Sequence, residues 1–300
     1  MVAHGRDLWT TAQGDAIVVA ESDIGATVAF TEDRSLRELS IDPRAAYEEK
    51  LVGLRLSSGF RRSLDEAMTD QDKAASLSYQ LLDDLPTAIL VSGVALASTG
   101  IHPGRGSFRL ASRADICAGW ATGATIMVEG QRLGFPPTVI GPPAPSLEAP
   151  DGDPMAWQTL VPMLPHSTRR LRRMDVWRKL DGAGPDGTIA VEAFFRDSQV
   201  DAAGSETVVH EYLVAAELEH ESLRFISCRA EIGVLPWIEC PEAASSAVRL
   251  VGTTPTDLRE RVRQSFVGTS TCTHLNDTLR ALAALPFLAA VSESDGEIRT

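Results

Sequence analysis

Alternating apolar and polar positions mark short strands in both halves of the chain. In the first half, Ala16–Glu21 and Ala26–Thr31 are rich in Val and Ile and flank a polar break at Ser22–Gly25, which is typical of a hairpin. Leu36–Ile41 fits a third strand. Four segments of the second half alternate in the same way: Met174–Leu180, Gly187–Phe195, Glu206–Leu218 and Ser222–Ile232. The pattern predicts antiparallel strands in each half.

Helical periodicity follows the strands in each half. Leu77, Leu81 and Leu85 recur every four residues and so share one face of a helix. Pro86 is expected to end that helix because it lacks an N–H group, and the apolar run Ala88–Ala97 fits either a buried strand or a helix. The pattern predicts helices over six segments: Ala45–Leu54, Phe60–Met68, Ala74–Leu85, Pro241–Val251, Thr256–Phe266 and His274–Leu285.

A stretch rich in glycine and proline separates the two halves, from about residue 99 to residue 165. Its densest part, Gly134–Pro154, contains seven prolines, which cannot donate the hydrogen bonds of a regular ladder. We expect an irregular, partly exposed connector or lid, because long connections of this kind are functional or mobile. A strand is expected near Ala124–Glu129.

The two halves also share sequence features at an offset of 198–199 residues. Asp42-Pro43 corresponds to Cys240-Pro241, and Leu51-Val52-Gly53 corresponds to Leu250-Val251-Gly252. The alternative is that two such halves share a few Leu and Gly by chance. The predicted class is therefore α+β, with two similar lobes, each an antiparallel sheet followed by about three helices. The predicted boundaries are 1–98 for the N-terminal lobe, 99–165 for the connector and 166–300 for the C-terminal lobe.

Composition limits which binding partners and which cellular compartment are expected. The net charge of -13 disfavours binding to phosphate backbones and anionic lipid, so neither nucleic acid nor a membrane is an expected partner. Four cysteines in 300 residues are too few for a disulfide framework. No basic start followed by an apolar run marks a secretory signal at the N-terminus. A cytoplasmic protein with free thiols is expected.

The most specific local feature is the segment Ser270–Leu275. Cys272 lies at the predicted start of a helix, where the positive end of the helix dipole lowers the pKa of a thiol. His274, two residues later, is placed to accept the thiol proton, so Cys272 and His274 are the candidate catalytic residues. The alternative is a small buried cysteine beside an ordinary capped helix.

The same residues suggest a metal site. Cys240 also precedes a predicted helix, so Cys240, Cys272 and His274 could converge as ligands of zinc or of an iron–sulfur cluster. The spacing matches no standard zinc finger, and no C-x-x-C pair is present. The alternative is that Cys228 faces the core and Cys240 caps a helix.

A run of arginines stands out in an otherwise acidic chain. Arg169, Arg170, Arg172 and Arg173 could bind an anionic metabolite, since the guanidinium group pairs with carboxylate or phosphate through two parallel hydrogen bonds. The alternative is pairing with the surplus aspartates and glutamates of the chain itself.

The region from about Leu164 to Leu285 resembles a bacterial family known as domain of unknown function 2889. The likeness is carried by Arg169-Arg170, Cys240-Pro241, Leu250-Val251-Gly252 and Cys272-Thr273-His274-Leu275. It implies no established activity, and it directs attention to Cys240, Cys272 and His274. The order of strands and helix-opening cysteines is also similar to iron–sulfur scaffold proteins of the NifU type, which implies a likeness of architecture alone.

These features leave three classes of function open. The first is an enzyme or accessory protein of small-molecule catabolism with a thiol–imidazole site in the C-terminal lobe. The second is a metal or iron–sulfur carrier, and the third is a non-catalytic binding or structural subunit. A small-molecule ligand, an oligomer or a partner protein is compatible with all three. The sequence specifies no cofactor, since it lacks the common nucleotide-binding motifs.

Overall fold

The computed structural model of the chain describes residues 1–294 except 12, 31, 44, 58, 70–72, 74–76, 100–112, 148–154 and 180–186. The chain divides into two compact units. The first comprises Met1–Leu90 with Ala290–Thr300, and the second comprises Val91–Ala289. Two antiparallel sheets accompanied by helices confirm the α+β class. Among the described residues, no helix combines the length and apolar character needed to cross a lipid bilayer.

The first unit is built on a three-stranded sheet in the order β1-β2-β3. The strands are β1 Val2–Thr10, β2 Ala16–Val28 and β3 Leu36–Asp42, followed by helices α1 Glu48–Leu51, α2 Phe60–Ala67 and α3 Leu77–Ser98, of which the part up to Leu90 belongs to this unit. The predicted hairpin across Ser22–Gly25 is therefore wrong, because that segment lies inside the single strand β2. Its polar residues have partners there: Ser22 is bonded to Ser78, and Asp23 to His4 on β1.

Helix α3 runs through the proline that was expected to end it. Pro86 removes one main-chain donor, yet the buried residues Tyr79, Leu82, Leu85 and Ile89 keep the helical spacing on both sides of it. Packing of this apolar face, rather than local propensity, provides most of the stability of a helix in a folded protein. The apolar run after Pro86 is accordingly helical and not a strand.

The second unit is built on a four-stranded antiparallel sheet in the order β4-β5-β6-β7. The strands are β4 Thr168–Lys179, β5 Thr188–Val200, β6 Glu206–Glu219 and β7 Phe225–Val234. Helix α4 Thr125–Leu133 precedes the sheet. A 3₁₀ helix over Cys240–Leu250 follows it, then α5 Leu258–Ser265, α6 Thr273–Ala281, a 3₁₀ turn and α7 Leu285–Ser294, of which the part up to Ala289 belongs to this unit. Residues 180–186, between β4 and β5, are outside the described part of the chain.

The core of the second unit lies on one face of this sheet. Successive side chains of a strand point to opposite faces, and the odd-numbered residues Ile189, Val191, Ala193 and Phe195 of β5 are all buried on one of them. The even-numbered residues Tyr212 to Leu218 of β6 join them, and helices α5 and α6 supply the other side of the core: Leu258, Val262, Leu275 and Leu279. The chemistry of the unit must therefore be sought along this covered face.

The segment before the sheet differs in part from the prediction. The prediction of a strand near Ala124–Glu129 is wrong, because this segment forms α4. The Glu239 carboxylate accepts hydrogen bonds from the main-chain N–H and the hydroxyl of Thr125 at 2.8 Å, and Gly134 ends the helix with φ of 77°. Residues 135–147 contain neither helix nor strand, as predicted, apart from an isolated bridge between Pro143 and Thr207.

The similarity of the two lobes stays a prediction, because the sheets differ in the number of their strands. One local feature is shared. Gly53 donates its N–H to the Leu36 carbonyl at 2.7 Å, and Gly252 donates to the Phe225 carbonyl at 2.8 Å. Both glycines have positive φ, at 87° and 80°, a conformation that residues with a Cβ rarely adopt.

Candidate functional site

A polar row crosses one end of the covered face of the second sheet. Arg170 on β4 lies opposite Asp197 on β5, which lies opposite His210 on β6. Asp197 is two residues from the core residue Phe195 on β5, and His210 is two residues from Tyr212 on β6. Alternate residues of a strand share a face, so this row points to the same face as the core. A bulge in β6 next to the Asp197–His210 pair marks the end of the regular ladder, and such bulges are common beside functional sites.

Helix α6 adds His274 to this row. The His210 and His274 rings stack with centroids 3.6 Å apart and planes inclined by 20°. His274 Nε2 lies 3.8 Å from Asp197 Oδ2. One potential metal-binding atom from each of Asp197, His210 and His274 lies within 4.8 Å of the other two, and all three residues are buried. The sheet and the helix thus bring together residues that are far apart in the sequence.

Two aspartates and two arginines balance the charge of this cluster. Arg170 donates two hydrogen bonds to the Asp197 carboxylate, at 2.9 and 2.8 Å, and a third to Asp277 on α6 at 3.0 Å. Arg172 donates to the main-chain carbonyl of Asp277 at 3.0 Å. Both guanidinium groups lie over the Phe195 ring. The pairing makes burial of these charges tolerable, since an isolated buried charge is strongly unfavourable.

Burial disfavours the charged form of both histidines. Burial, followed by the neighbouring Arg170, lowers the pKa of His274 to about 3. Burial and the adjacent His274 hold the pKa of His210 well below its usual value. Within the described part of the chain, His210 Nδ1 and His274 Nε2 are buried without a hydrogen-bond partner. Buried polar atoms of this kind call for a bound water or ion.

The thiol of Cys272 lies on the other edge of the His274 ring. Its Sγ is 3.9 Å from His274 Nδ1, so the structure places the two candidate catalytic groups side by side at the start of α6. The predicted low thiol pKa is wrong. Burial raises the pKa of Cys272, and this effect exceeds the opposing one of the Leu275 N–H, the Tyr212 hydroxyl and the His274 N–H, which all face the sulfur.

Two further thiols adjoin Cys272. Cys240 opens its 3₁₀ helix so close to Gly119 that a Cβ at position 119 would lie 2.6 Å from the sulfur. Ala118 donates its N–H to the Thr271 carbonyl at 2.9 Å, which brings the neighbouring Cys117 to the start of α6. Burial is the main cause that raises the pKa of Cys117 to about 11 and of Cys240 to about 12. Cys228 lies in β7 and is buried in the hydrophobic core that also contains Cys272.

The predicted metal ligands meet only in part. Among the described residues, the set with closely spaced donor atoms combines His274 with Asp197 and His210, while Cys240 and Cys272 are outside it. Sequence reasoning missed Asp197 and His210. Their phase with the apolar residues of β5 and β6 is the signal that could have found them.

The four arginines of the basic run all lie in β4 and divide between its two faces. Arg170 and Arg172 face Asp277, as described above. On the other face, Arg169 lies 3.6 Å from the Glu206 carboxylate, and Arg173 bonds to Asp175 at 2.8 Å while lying over the Trp157 ring. Arg169, Arg170 and Arg173 therefore contact carboxylates of the chain itself, and an anionic ligand for this run stays a prediction.

Comparison with known proteins gives one match, and it covers the part of the chain that contains this site. Residues 168–287, which is 120 of the 300 residues, match the family described as "Protein of unknown function (DUF2889)". The match confirms the resemblance predicted for the C-terminal half, and it contains Arg170, Asp197, His210, Cys272 and His274. No curated protein and no solved structure matches the chain, so the likeness to NifU-type scaffolds has no support.

Proposed function

We propose that the C-terminal unit binds a divalent transition-metal ion through Asp197, His210 and His274. One observation carries the proposal: among the described residues, His210 Nδ1 and His274 Nε2 are buried without a hydrogen-bond partner, and one nitrogen of each ring lies within 4.8 Å of an Asp197 oxygen. Neutral imidazole is the form of histidine that binds metals. Two imidazoles and one carboxylate are a donor set that suits zinc, iron(II), cobalt(II) and nickel(II).

The distances support this assignment. Bonds of about 2.1 Å place two ligands of one ion at most about 4.2 Å apart, and the three donor atoms lie within 4.8 Å of one another. Binding also requires the His210 and His274 rings, which are stacked with planes inclined by 20°, to turn out of the stack so that one nitrogen lone pair of each points at the ion. Arg170 bonds to both Asp197 oxygens and to Asp277. It can release one Asp197 oxygen to an ion and remain paired through the other contacts.

Direct metal binding tests the proposal. The purified protein, stripped with a chelator, is titrated with zinc and with cobalt(II) by calorimetry, and we expect one ion per chain. His210→Gln and Asp197→Asn keep similar volumes and should each weaken affinity at least tenfold. His4→Gln, a change in the other unit, serves as the control and should bind as the unaltered protein does. Absence of binding to the unaltered, folded protein would reject the proposal.

A second candidate function is supported by the 3.9 Å separation of Cys272 Sγ and His274 Nδ1. It keeps the role predicted from the sequence, an enzyme or accessory protein of small-molecule catabolism that uses a thiol–imidazole pair. Cys272→Ala separates the two candidates. It removes the thiol but leaves the Asp197, His210 and His274 donors in place, so a metal-binding protein retains its metal while a thiol-dependent activity is lost.

A further inference from the structure

The two ring nitrogens of His274 have different surroundings. Nδ1 lies 3.9 Å from Cys272 Sγ and 3.4 Å from Thr273 Oγ1, both within reach of a hydrogen bond. Nε2 is buried without such a partner in the described chain and faces the Asp197 carboxylate at 3.8 Å. The ring therefore has one edge toward hydrogen-bonding groups and the other toward the cluster.

This asymmetry selects one tautomer of the neutral ring. A neutral imidazole carries a single proton, on one nitrogen or the other. On Nδ1, the proton meets two acceptors, the thiol and the hydroxyl. On Nε2, it would be a buried donor without a hydrogen bond, which is a costly arrangement. The Asp197 oxygen nearest to Nε2 is already held by Arg170 at 2.8 Å, which weakens its attraction for a proton there.

The fold fixes the ring in two separate ways. Cys272 is the residue that precedes the first turn of α6 and has extended backbone angles, φ -127° and ψ 131°. Thr273 begins the helix, so the sulfur and the hydroxyl flank the same edge of the His274 ring. His210 stacks on the ring face and sets its plane. The stack thus determines the plane, and residues 272 and 273 determine which nitrogen faces Asp197.

We propose that Cys272 and Thr273 are positioning residues that accept the Nδ1 proton of His274 and so present the Nε2 lone pair to the Asp197–His210 cluster. The inference rests on the proposed metal-binding function and deepens it, because it names the groups that prepare one ligand before an ion arrives. Partners of this kind, behind a metal-binding histidine, typically change metal affinity by about 10–100-fold. Cys272 then has a role that requires no thiolate.

The tautomer can be observed directly in the metal-free protein. Nitrogen-15 spectra of the histidine side chains distinguish a proton on Nδ1 from one on Nε2, and we expect His274 to carry it on Nδ1. The double change Cys272→Ala with Thr273→Val removes both acceptors and should populate the other tautomer. In cobalt(II) titrations it should weaken affinity about tenfold. Thr273→Ser retains a hydroxyl, and Cys228→Ala removes a buried thiol elsewhere, so both should leave the tautomer and the affinity unchanged.

Two results would overturn the inference. The first is an Nε2 proton on His274 in the unaltered protein, which needs no variant to fold. The second is a sulfur-to-cobalt charge-transfer band that disappears in Cys272→Ala, because it would make Cys272 a ligand instead of a positioning residue. If the unaltered protein binds no metal but the His274 tautomer changes in the double variant, the positioning role of Cys272 and Thr273 is supported and the metal-binding function is rejected.

Discussion

His210 and His274 stack ring on ring, 3.6 Å between centroids, although one belongs to strand β6 and the other to helix α6. A second contact joins the same two layers, the 3.0 Å bond from Arg170 on β4 to Asp277 on α6. Helix α6 is therefore held over the polar end of the sheet by a ring stack and an ion pair, and its apolar residues pack on the remainder of that face. Both contacts therefore help to set the position of His274 over Asp197 and His210.

The buried ion pair between Arg170 and Asp197 provides the first prediction. Asp197→Leu removes the acceptor of two hydrogen bonds from the Arg170 guanidinium. The Arg170 side chain is only 9% exposed, so its charge would lose the carboxylate that binds it through two bonds. We expect a loss of about 3 kcal/mol in the free energy of unfolding, measured with urea. Arg170→Met combined with Asp197→Leu removes both charges of this pair but also takes the Arg170 contact from the buried Asp277, so it should recover only part of that loss. Equal stability of the single variant and the unaltered protein would contradict the pairing.

The four thiols should be slow to react in the native protein. Burial raises the pKa of each, to about 11 for Cys117 and about 12 for Cys228 and Cys240, and in the same direction for Cys272. Because the thiolate is the reactive form, we expect little alkylation by iodoacetamide at pH 8 until urea unfolds the chain. Peptide mapping by mass spectrometry assigns the sites. Labelling of Cys272 well ahead of Cys117 would instead support the thiol–imidazole candidate.

Asp7 on β1 should make stability depend on pH. Burial raises the pKa of its carboxyl from 3.8 to about 6. The folded chain thus holds this proton more tightly than the unfolded chain does, and the contribution of Asp7 to stability falls as the pH rises from about 4 to about 6.

Asp7→Asn should therefore stabilise the protein at pH 7, by about 1 kcal/mol after allowance for solvent screening, and should make little difference near pH 3. Thermal unfolding across this pH range measures the effect. Asp15→Asn, at an exposed position between β1 and β2, is the matched control and should be neutral. An Asp7→Asn variant that is less stable at pH 7 would contradict the assignment.

The proline-rich segment before the sheet approaches β6 closely at Gly141. A Cβ at this position would lie 1.7 Å from the Val208 carbonyl oxygen, beside the 2.9 Å bond from the Val208 N–H to the Pro142 carbonyl. Gly141→Ala should displace the segment, lower the free energy of unfolding by about 1–3 kcal/mol and accelerate proteolytic cleavage within residues 135–147. Gly93→Ala, where a Cβ meets nothing within 4 Å, is the control. Unchanged cleavage in Gly141→Ala would show that the close approach is not maintained in solution.

The strands of the second sheet could be predicted because apolar and polar residues alternate regularly along them. The same alternation also indicates which polar residues of these strands face the core. Asp197 continues the buried series that ends at Phe195, and His210 continues the series that begins at Tyr212. Phase alone therefore indicates that both polar residues face the core. Local motifs drew attention to Cys272 and His274, which adjoin in sequence, whereas Asp197 and His210 meet them only through strand pairing and the docking of α6.

Two misassigned elements of the first unit have a different cause. Ser22–Gly25 has the composition of a turn, but Ser22 is bonded to Ser78 and is buried within β2. Pro86 has the chemistry of a helix end, but the apolar face of α3 continues past it. In both cases partners distant in the sequence decide the local structure, and no short window of residues contains them.

The cross-strand row Arg170–Asp197–His210 ties the candidate site to the alignment of three strands. Shifting β5 by one residue would turn Asp197 to the opposite face, since neighbouring side chains alternate, and would separate it from both neighbours. An ion that binds only the correctly aligned sheet stabilises that alignment by mass action. Metal present during synthesis would then favour chains with the correct strand pairing over misaligned ones. The same ion would in that case assist folding before it forms part of the finished site.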